Sequence, residues 1–194
     1  MHTPYSIGNQ GFSDKAHKSA QACVYPFVFS KEQGQLAFEC TSVSTGERGK
    51  VLDGEMGIDR IVLVTCGQMR KPLVFTVQER FRKVKYRGYQ DLTITTWNTI
   101  TNQPSELYKI NAGLFLYGFY DESLDTVVEW VMVNTASMLL ALASKRLSYT
   151  TRTNPRSGQE FIGVKFTDLY LCNSMVAGFV DGKSWRIENK RCNP

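Results

Sequence analysis

Three consecutive runs of β-branched and aromatic residues constrain the fold of this chain most strongly. The runs are IDRIVLV (58–64), PLVFTVQERF (72–81) and DLTITTW (91–97). Residues of these types fit the pleated, half-buried surface of a sheet, and turn formers such as Gly67 and Gly88 separate the runs. The pattern predicts a β-hairpin followed by a third strand.

The segments on either side predict helices and further strands. Residues 13–29 predict a helix that Pro26 ends or bends, because proline lacks the amide proton that a helix needs. Residues 35–57 predict one short strand followed by a glycine-rich loop. In 105–122, apolar residues about one helical turn apart predict a second helix; they are Leu107, Ile110, Leu114 and Tyr117.

The remaining apolar patterns complete the predicted order of elements. They predict a strand at 127–133, a helix at 135–147 and a strand at 160–171, whereas the last twenty residues carry little signal. Helices alternating with strands are typical of layered α/β proteins. We therefore expect an α/β fold with a mixed central sheet flanked by helices.

Composition indicates a globular protein. A chain of 194 residues can bury a full core, and its 42% hydrophobic and 21% charged content is ordinary, so we expect a single domain over 1–194. The start lacks a signal-peptide pattern, and the longest uncharged apolar segment, 136–144, is too short to span a bilayer. We expect a cytoplasmic protein without membrane contact, whose five scattered cysteines are free thiols.

A basic segment follows the second strand of the hairpin. RFRKVKYRGY (80–89) interleaves its cations with Phe81, Tyr86 and Tyr89. Clustered cations neutralise phosphates and aromatic rings stack on unpaired bases, so the segment predicts nucleic-acid binding. The alternative is a solvated strand end and turn. The residues expected to bind the nucleic-acid backbone are Arg82, Lys83, Lys85 and Arg87.

The hairpin also carries charged and amide side chains inside its strands. Side chains alternate along a strand, so Gln78 and Arg80 are predicted to share one face, and Glu79 to lie on the other. Asp59, on the neighbouring strand, joins the face of Gln78 if the register allows it. A carboxylate and an amide oxygen can hold a hard cation such as Mg²⁺, and an adjacent arginine can stabilise a phosphate.

These residues predict a catalytic site of Asp59, Gln78 and Arg80, with Mg²⁺ or Mn²⁺ held by Asp59 and Gln78. Glu79 is the alternative metal ligand if a β-bulge shifts the register, since bulges are frequent beside active sites. Otherwise Glu79 pairs with a buried cation such as Arg60 or Arg82. Asp59 has a structural alternative as well, because GID can be a tight turn in which the aspartate caps a backbone amide.

The stretches DGEMGID (53–59) and VQER (77–80) resemble the G-x-GID and Q-x-K motifs of the PD-(D/E)XK nuclease superfamily, closest to its Mrr-type restriction endonucleases. The resemblance covers about 13–147, with a C-terminal strand and tail at 148–194. It implies a restriction-endonuclease-like core of helix, strand, hairpin, strand, helix and strand. It also implies metal-dependent cleavage of DNA, frequently by a homodimer, and the compact size fits a phage or mobile-element protein.

Two positions depart from the family pattern. Arg80 replaces the usual lysine and cannot act as a general base, since arginine stays protonated. Gln78 replaces the commoner acid, so another carboxylate is expected to complete the site. The candidates are Asp14, Glu32, Glu39, Asp53 and Glu55.

Three functions remain open on the sequence alone. The first is a metal-dependent deoxyribonuclease. The second is a catalytically inactive nucleic-acid-binding domain on the same fold, in which Arg80 reflects lost chemistry. The third is an assembly subunit whose aromatic residues in 109–122 form an oligomer face.

Overall fold

The structure is a computed structural model that describes residues 7–29, 36–43, 50–66, 71–155 and 157–186. Over these ranges the chain is a mixed α/β protein with three α-helices and two β-sheets. The turn residue Gly67, the candidate ligand Glu32 and residues 44–49 of the glycine-rich loop lie outside the described residues.

The elements have the following bounds. The α-helices are α1 (Ile7–Phe29), α2 (Thr135–Ala143) and α3 (Phe166–Leu171). The strands are β1 (Leu36–Ser42), β2 (Arg60–Cys66), β3 (Leu73–Lys83), β4 (Asp91–Asn98), β5 (Gln103–Pro104), β6 (Leu114–Asp121), β7 (Thr126–Asn134), β8 (Thr150–Asn154), β9 (Gln159–Lys165), β10 (Met175–Val180) and β11 (Lys183–Arg186). Short turns of other helix types are a π-helical turn (Lys50–Glu55) and 3-10 turns (Val84–Tyr89 and Glu106–Tyr108).

The central sheet has seven strands in the order β1-β2-β3-β6-β7-β10-β11. Strands β3 and β6 are parallel, and every other neighbouring pair in this sheet is antiparallel. The second sheet, in the order β5-β4-β9-β8, is antiparallel throughout. Because parallel neighbours need a crossover connection, the chain leaves the central sheet after β3 and forms β4 and β5 before it returns.

Strand β6 is buried on both faces and separates two parts of the core. On one face, Phe115 and Tyr117 join a cluster with Leu92 of the second sheet. On the other face, Leu116 joins a cluster with Val24 of α1. Consequently α1 covers one face of the central sheet, and the second sheet covers the other.

The hairpin and two further strands were predicted correctly. The runs 58–64 and 72–81 form β2 and β3, and the runs 91–97 and 127–133 fall on β4 and β7. Val, Ile and Thr dominate these segments, and alternate residues are buried along β2, as expected for a half-buried strand.

The helix predicted at 105–122 is wrong. A 3-10 turn (Glu106–Tyr108) is followed by β6, whose residues are buried almost without interruption. A strand buried on both faces is apolar throughout, so helical spacing can be found in it by coincidence. Phe115, Tyr117 and Phe119 are fully buried and are therefore not available as the oligomer face that the sequence suggested.

Other boundaries also differ from the predictions. The strand expected at 160–171 ends at Lys165, where α3 begins with the buried Phe166. Helix α1 continues past Pro26 to Phe29, since Tyr25 and Phe29 are packed in the core on both sides of the proline. The weakly patterned C-terminal segment contains β10 and β11. None of the helices in the described ranges is long and apolar enough to cross a membrane.

Candidate nucleic-acid interface and carboxylate cluster

Asp59 is fixed to β3 on both sides of Gln78. Its backbone amide donates to the carbonyl of Val77 at 2.9 Å, and its Oδ2 accepts from the amide of Glu79 at 2.6 Å. Burial raises the pKa of Asp59 to about 7, against the backbone hydrogen bond from Glu79, and the negative charges of Asp53 and Glu79 raise it further. The structure therefore holds Asp59 against the backbone of β3 on either side of Gln78, and its carboxylate caps the amide of Glu79.

Gln78 and Arg80 project to the same side of β3 and meet one carboxylate. Gln78 Nε2 donates to Oε1 of Glu106 at 3.0 Å, and Arg80 forms an ion pair with Oε2 of the same residue. The amide and hydroxyl of Thr95 also approach Oε2, both at 3.3 Å. Sequence reasoning missed Glu106 as a site residue because its segment was assigned to a helix that does not form.

Glu79 lies on the opposite side of β3 and is completely enclosed. Its side chain has 0% exposure, with Tyr25 Oη donating to Oε1 at 2.5 Å and Arg60 Nε donating to Oε2 at 2.9 Å. His17 Nδ1 also bonds Oε2. Burial acts to raise the pKa of Glu79, but the interaction with His17, the positive charge of Arg60 and the hydrogen bond from Tyr25 outweigh it, so the pKa is lowered.

The pairing of Glu79 with Arg60 is one of the alternatives that the sequence left open. Arg82, the other cation considered, instead approaches Asp91 at 4.0 Å. Both carboxylate oxygens of Glu79 already accept hydrogen bonds, which leaves it poorly suited to bind a metal ion.

A cavity of about 180 Å³ lies beside Gln78. It is lined by Asp53, Gly57, Gln78, Glu106 and Lys109. The Oε1 atom of Gln78 is buried and has no hydrogen-bond partner among the described residues. A Cβ on Gly57, whose φ is +56°, would lie 2.9 Å from that oxygen, so this position needs glycine for its backbone and for space.

The residues around this cavity fit a divalent cation only in part. The described part of the chain contains no group of three or more His, Cys, Asp or Glu residues arranged to hold a metal ion. The oxygen ligands available at the cavity are Gln78 Oε1 and the carboxylates of Asp53 and Glu106, and Glu106 is already bonded to Gln78 Nε2 and Arg80. Asp59 is close enough to Asp53 for their charges to interact. Such hard oxygen ligands suit Mg²⁺ or Mn²⁺ held largely through water molecules.

Of the carboxylates proposed to complete the site, Asp53 alone lines the cavity among those the structure describes. Asp14, Glu39 and Glu55 are exposed on α1, β1 and the π-helical turn. The extra carboxylate that the sequence did not identify is Glu106, which lies 26 residues after Arg80.

A larger groove of about 730 Å³ opens at the end of β3, and we refer to it as the basic groove. Its lining includes four cations, Arg80, Arg82, Lys83 and Lys85, and three aromatic residues, Phe12, Phe81 and Tyr86. Arg87, which the sequence also suggested, lies outside this lining. Three of the four expected nucleic-acid-binding residues therefore lie in one concave surface together with Arg80.

Aromatic rings hold several of these cations in position. The guanidinium of Arg82 lies 4.3 Å from the ring centroid of Tyr86, and Lys85 Nζ lies 5.0 Å from the same centroid. Lys83 Nζ lies 5.5 Å from the ring of Phe12. Cation–π contacts of this kind restrict the side chains without neutralising their charge.

Comparisons with known proteins give no assignment. No family model matches the chain, and neither a curated protein nor a solved structure matches it. The functional reading of this protein therefore depends on the basic groove and on the carboxylates beside Gln78.

Proposed function

We propose that the chain binds nucleic acid, with DNA as the first candidate, in the basic groove. The observation that carries this proposal is the placement of four cations and three aromatic residues around one groove of about 730 Å³. Clustered cations attract the phosphate backbone, and counterions are released from a duplex or a single strand when the protein binds it.

The acidic residues of the groove do not cancel this attraction. Glu79 is enclosed by Tyr25, Arg60 and His17, so its charge is balanced inside the protein. Glu106 is paired with Arg80, and Arg82 lies 4.0 Å from a carboxylate oxygen of Asp91, which leaves Lys83, Lys85 and part of the charge of Arg82 to attract a phosphate at the mouth of the groove. Lys83 also pairs with Glu122, but both side chains are about half exposed, and such pairs exchange readily for a phosphate.

Fluorescence anisotropy with labelled single-stranded, duplex and branched DNA tests this proposal. We expect binding that weakens steeply with salt, and the double variant Arg82→Gln/Lys85→Gln to flatten the salt dependence by a slope of about 2 on a log–log plot, since each phosphate contact contributes roughly 0.9. Lys183→Gln, an exposed cation outside the groove lining, is the matched control. Wild-type protein that binds none of these DNAs at low salt would overturn the proposal.

A second candidate is a metal-dependent nuclease, and the unpartnered oxygen of Gln78 favours it. In this proposal Asp59, Gln78 and the neighbouring Asp53 hold Mg²⁺ or Mn²⁺, and Arg80 meets the scissile phosphate. A bound cation of this type activates water and stabilises charge on phosphoryl oxygens. Because Arg80 is paired with Glu106, the incoming phosphate has to replace that carboxylate.

The topology supports the same candidate. A leading helix, a strand and the β2–β3 hairpin follow one another in the order that the motif resemblance implies for the start of its core. The elements after the hairpin differ from that core, because β4 lies in the second sheet and β6 replaces the helix expected at 105–122.

Metal binding and cleavage are measured separately to test this second candidate. We expect Mn²⁺ to raise the melting temperature of the wild type and to support cleavage of labelled DNA that EDTA stops. Asp59→Ala and Gln78→Leu should lose both effects, whereas Glu55→Ala, an exposed carboxylate in the neighbouring turn, should keep them. DNA binding with neither Mn²⁺ effect would leave an inactive binding domain and exclude the nuclease.

A further inference from the structure

We propose that Ser13, His17 and Glu79 form a nucleophilic relay in which Ser13 attacks a phosphodiester bound in the basic groove. This activity is distinct from the metal-dependent reaction. Its choice of substrate depends on the proposed nucleic-acid binding, whereas activation of the serine does not.

The contacts follow the order of a nucleophile, a base and an orienting carboxylate. Ser13 Oγ lies 2.9 Å from Nε2 of His17, and Nδ1 of the same ring bonds Oε2 of Glu79. When Glu79 accepts the Nδ1 proton, Nε2 is left to accept the proton of the Ser13 hydroxyl. This is the arrangement by which a weak oxygen nucleophile is activated in hydrolases of unrelated folds.

The fold accounts for each member of the relay. Ser13 and His17 are four residues apart on α1, so they lie on one face of the helix. Glu79 comes from the central strand β3, 62 residues later, and Tyr25 and Arg60 hold its carboxylate in place. The ring of Phe81 packs edge-on against His17 with centroids 5.4 Å apart, which limits rotation of the imidazole.

The surroundings of Ser13 indicate the class of electrophile. Ser13 lines the basic groove together with Arg80, Arg82 and Lys83. Guanidinium and ammonium groups stabilise charge on phosphoryl oxygens, and they disfavour a cationic substrate. An anionic phosphodiester is therefore the substrate that this serine would meet.

The reaction balances without a cofactor. As the Ser13 oxygen forms a bond to phosphorus, its proton passes to His17 Nε2, and the bond from phosphorus to the leaving nucleoside oxygen breaks. The imidazolium returns that proton to the leaving oxygen. Water, activated by the same imidazole, then attacks phosphorus and breaks the bond to Ser13, which regains its proton.

A fluorophosphonate probe tests the activated serine without nucleic acid. We expect covalent labelling of the wild type at Ser13, located by peptide mass spectrometry, and no labelling of Ser13→Ala. Ser19→Ala removes a serine from the same helix whose hydroxyl bonds the Val127 amide and leaves His17 untouched, so it should label at the wild-type rate. Absence of labelling at Ser13 in folded wild-type protein overturns the proposal.

Glu79 is a positioning residue, and its role is separated from folding by a matched pair of variants. Glu79→Gln keeps the shape but cannot hold the imidazolium, so we expect the labelling rate to fall by a factor on the order of 10³–10⁴. Tyr117→Phe removes a buried tyrosine hydroxyl that bonds Thr93 on the face of the central sheet covered by the second sheet, and it should leave the rate within about threefold. Both proteins are first shown to be folded by near-UV circular dichroism. Equal labelling rates in the two variants would contradict the relay.

Cleavage of labelled DNA in EDTA then tests the substrate. We expect a covalent adduct between protein and DNA that is absent in Ser13→Ala. Labelling by the probe without DNA binding would contradict the proposed function and still support the activated serine. DNA binding without labelling would remove the relay and leave the proposed function intact.

Discussion

The two faces of β3 use polar side chains in opposite ways. On one face the carboxylate of Glu79 has no exposure and is held by Tyr25, Arg60 and His17. On the other face, the buried Oε1 of Gln78 has no hydrogen-bond partner among the described residues. The side chain of Arg80, which pairs with Glu106 on this face, is 31% exposed. A buried network in which every polar group has a hydrogen-bond partner is rigid. A buried polar group at a cavity that lacks a partner can gain a hydrogen bond when a ligand binds.

We call the face of β3 that carries Glu79 the closed face and the face that carries Gln78 the open face. Substitutions on the closed face should cost the most stability. Glu79→Ala removes the partner of the buried Arg60, and breaking a buried ion pair from one side costs about 3–5 kcal/mol of unfolding free energy. Urea denaturation gives the measurement. Glu122→Ala, which removes the exposed partner of Lys83, is the matched control and should cost less than about 1 kcal/mol. Equal losses in the two variants would contradict the distinction between a closed and an open face.

The carboxylates of Glu79 and Asp59 should make opposite contributions to the pH dependence of stability. The pKa of Glu79 is lowered by folding, so its stabilisation is present above its unfolded pKa and is lost as the pH falls through the folded pKa. The pKa of Asp59 is raised from 3.8 to about 7, so its stabilisation is complete below pH 3.8 and is lost as the pH rises through about 7.

Asp59→Asn should therefore remove a pH dependence rather than a structural contact. Asparagine can still accept the hydrogen bond of the Glu79 amide, and above pH 7 the variant should be more stable than the wild type by an amount on the order of 2–4 kcal/mol. Free energies of unfolding measured by urea titration from pH 4 to pH 8 give the comparison. Parallel curves for the variant and the wild type would mean that Asp59 keeps an ordinary pKa.

The open face requires glycine at position 57, and two variants separate the effect of the backbone conformation from the effect of the added Cβ. Gly57→Ala introduces both a left-handed alanine and a Cβ within 2.9 Å of Gln78 Oε1. Gly182→Ala is matched for the backbone, since its φ is +71° and nothing lies within 4 Å of its Cβ. We expect about 1–2 kcal/mol of destabilisation at Gly182 and a larger loss at Gly57.

The double variant Gly57→Ala/Gln78→Ala should recover the difference between those two losses, because truncation of Gln78 removes the steric conflict. Thermal unfolding of the wild type, Gly57→Ala, Gly182→Ala, Gln78→Ala and the double variant measures it. Additive effects in the double variant would show that Gly57 and Gln78 do not share the cavity.

Much of the hairpin could be predicted because its interactions are local. Alternation along β3 was enough to separate Gln78 and Arg80 from Glu79, and the pairing of Glu79 with Arg60 was one of the options raised. Runs of β-branched residues determine these strands within about 30 residues of sequence. No long-range information was needed for them.

The remaining features depend on contacts that a single sequence does not reveal. His17 reaches Glu79 across 62 residues, and Glu106 reaches Arg80 from a segment whose apolar spacing resembled a helix. Strand β6 is buried on both faces, which hides the alternation that usually identifies a strand. Tertiary packing, rather than local preference, therefore determines which carboxylates meet β3.

Among these variants, a change in the Arg80–Glu106 pair should have the smallest effect on stability. The same change should strengthen DNA binding. Glu106→Gln keeps an acceptor for Gln78 Nε2 and removes one negative charge beside Arg80. Partly exposed pairs contribute about 0–1 kcal/mol, so unfolding should change little. DNA affinity at low salt should rise several-fold, because Arg80 then meets a phosphate without competition from a carboxylate. Anisotropy titrations beside Glu160→Gln, an acidic residue of β9 outside the groove lining, measure the gain, and unchanged or weaker binding would place Arg80 outside the DNA-binding surface.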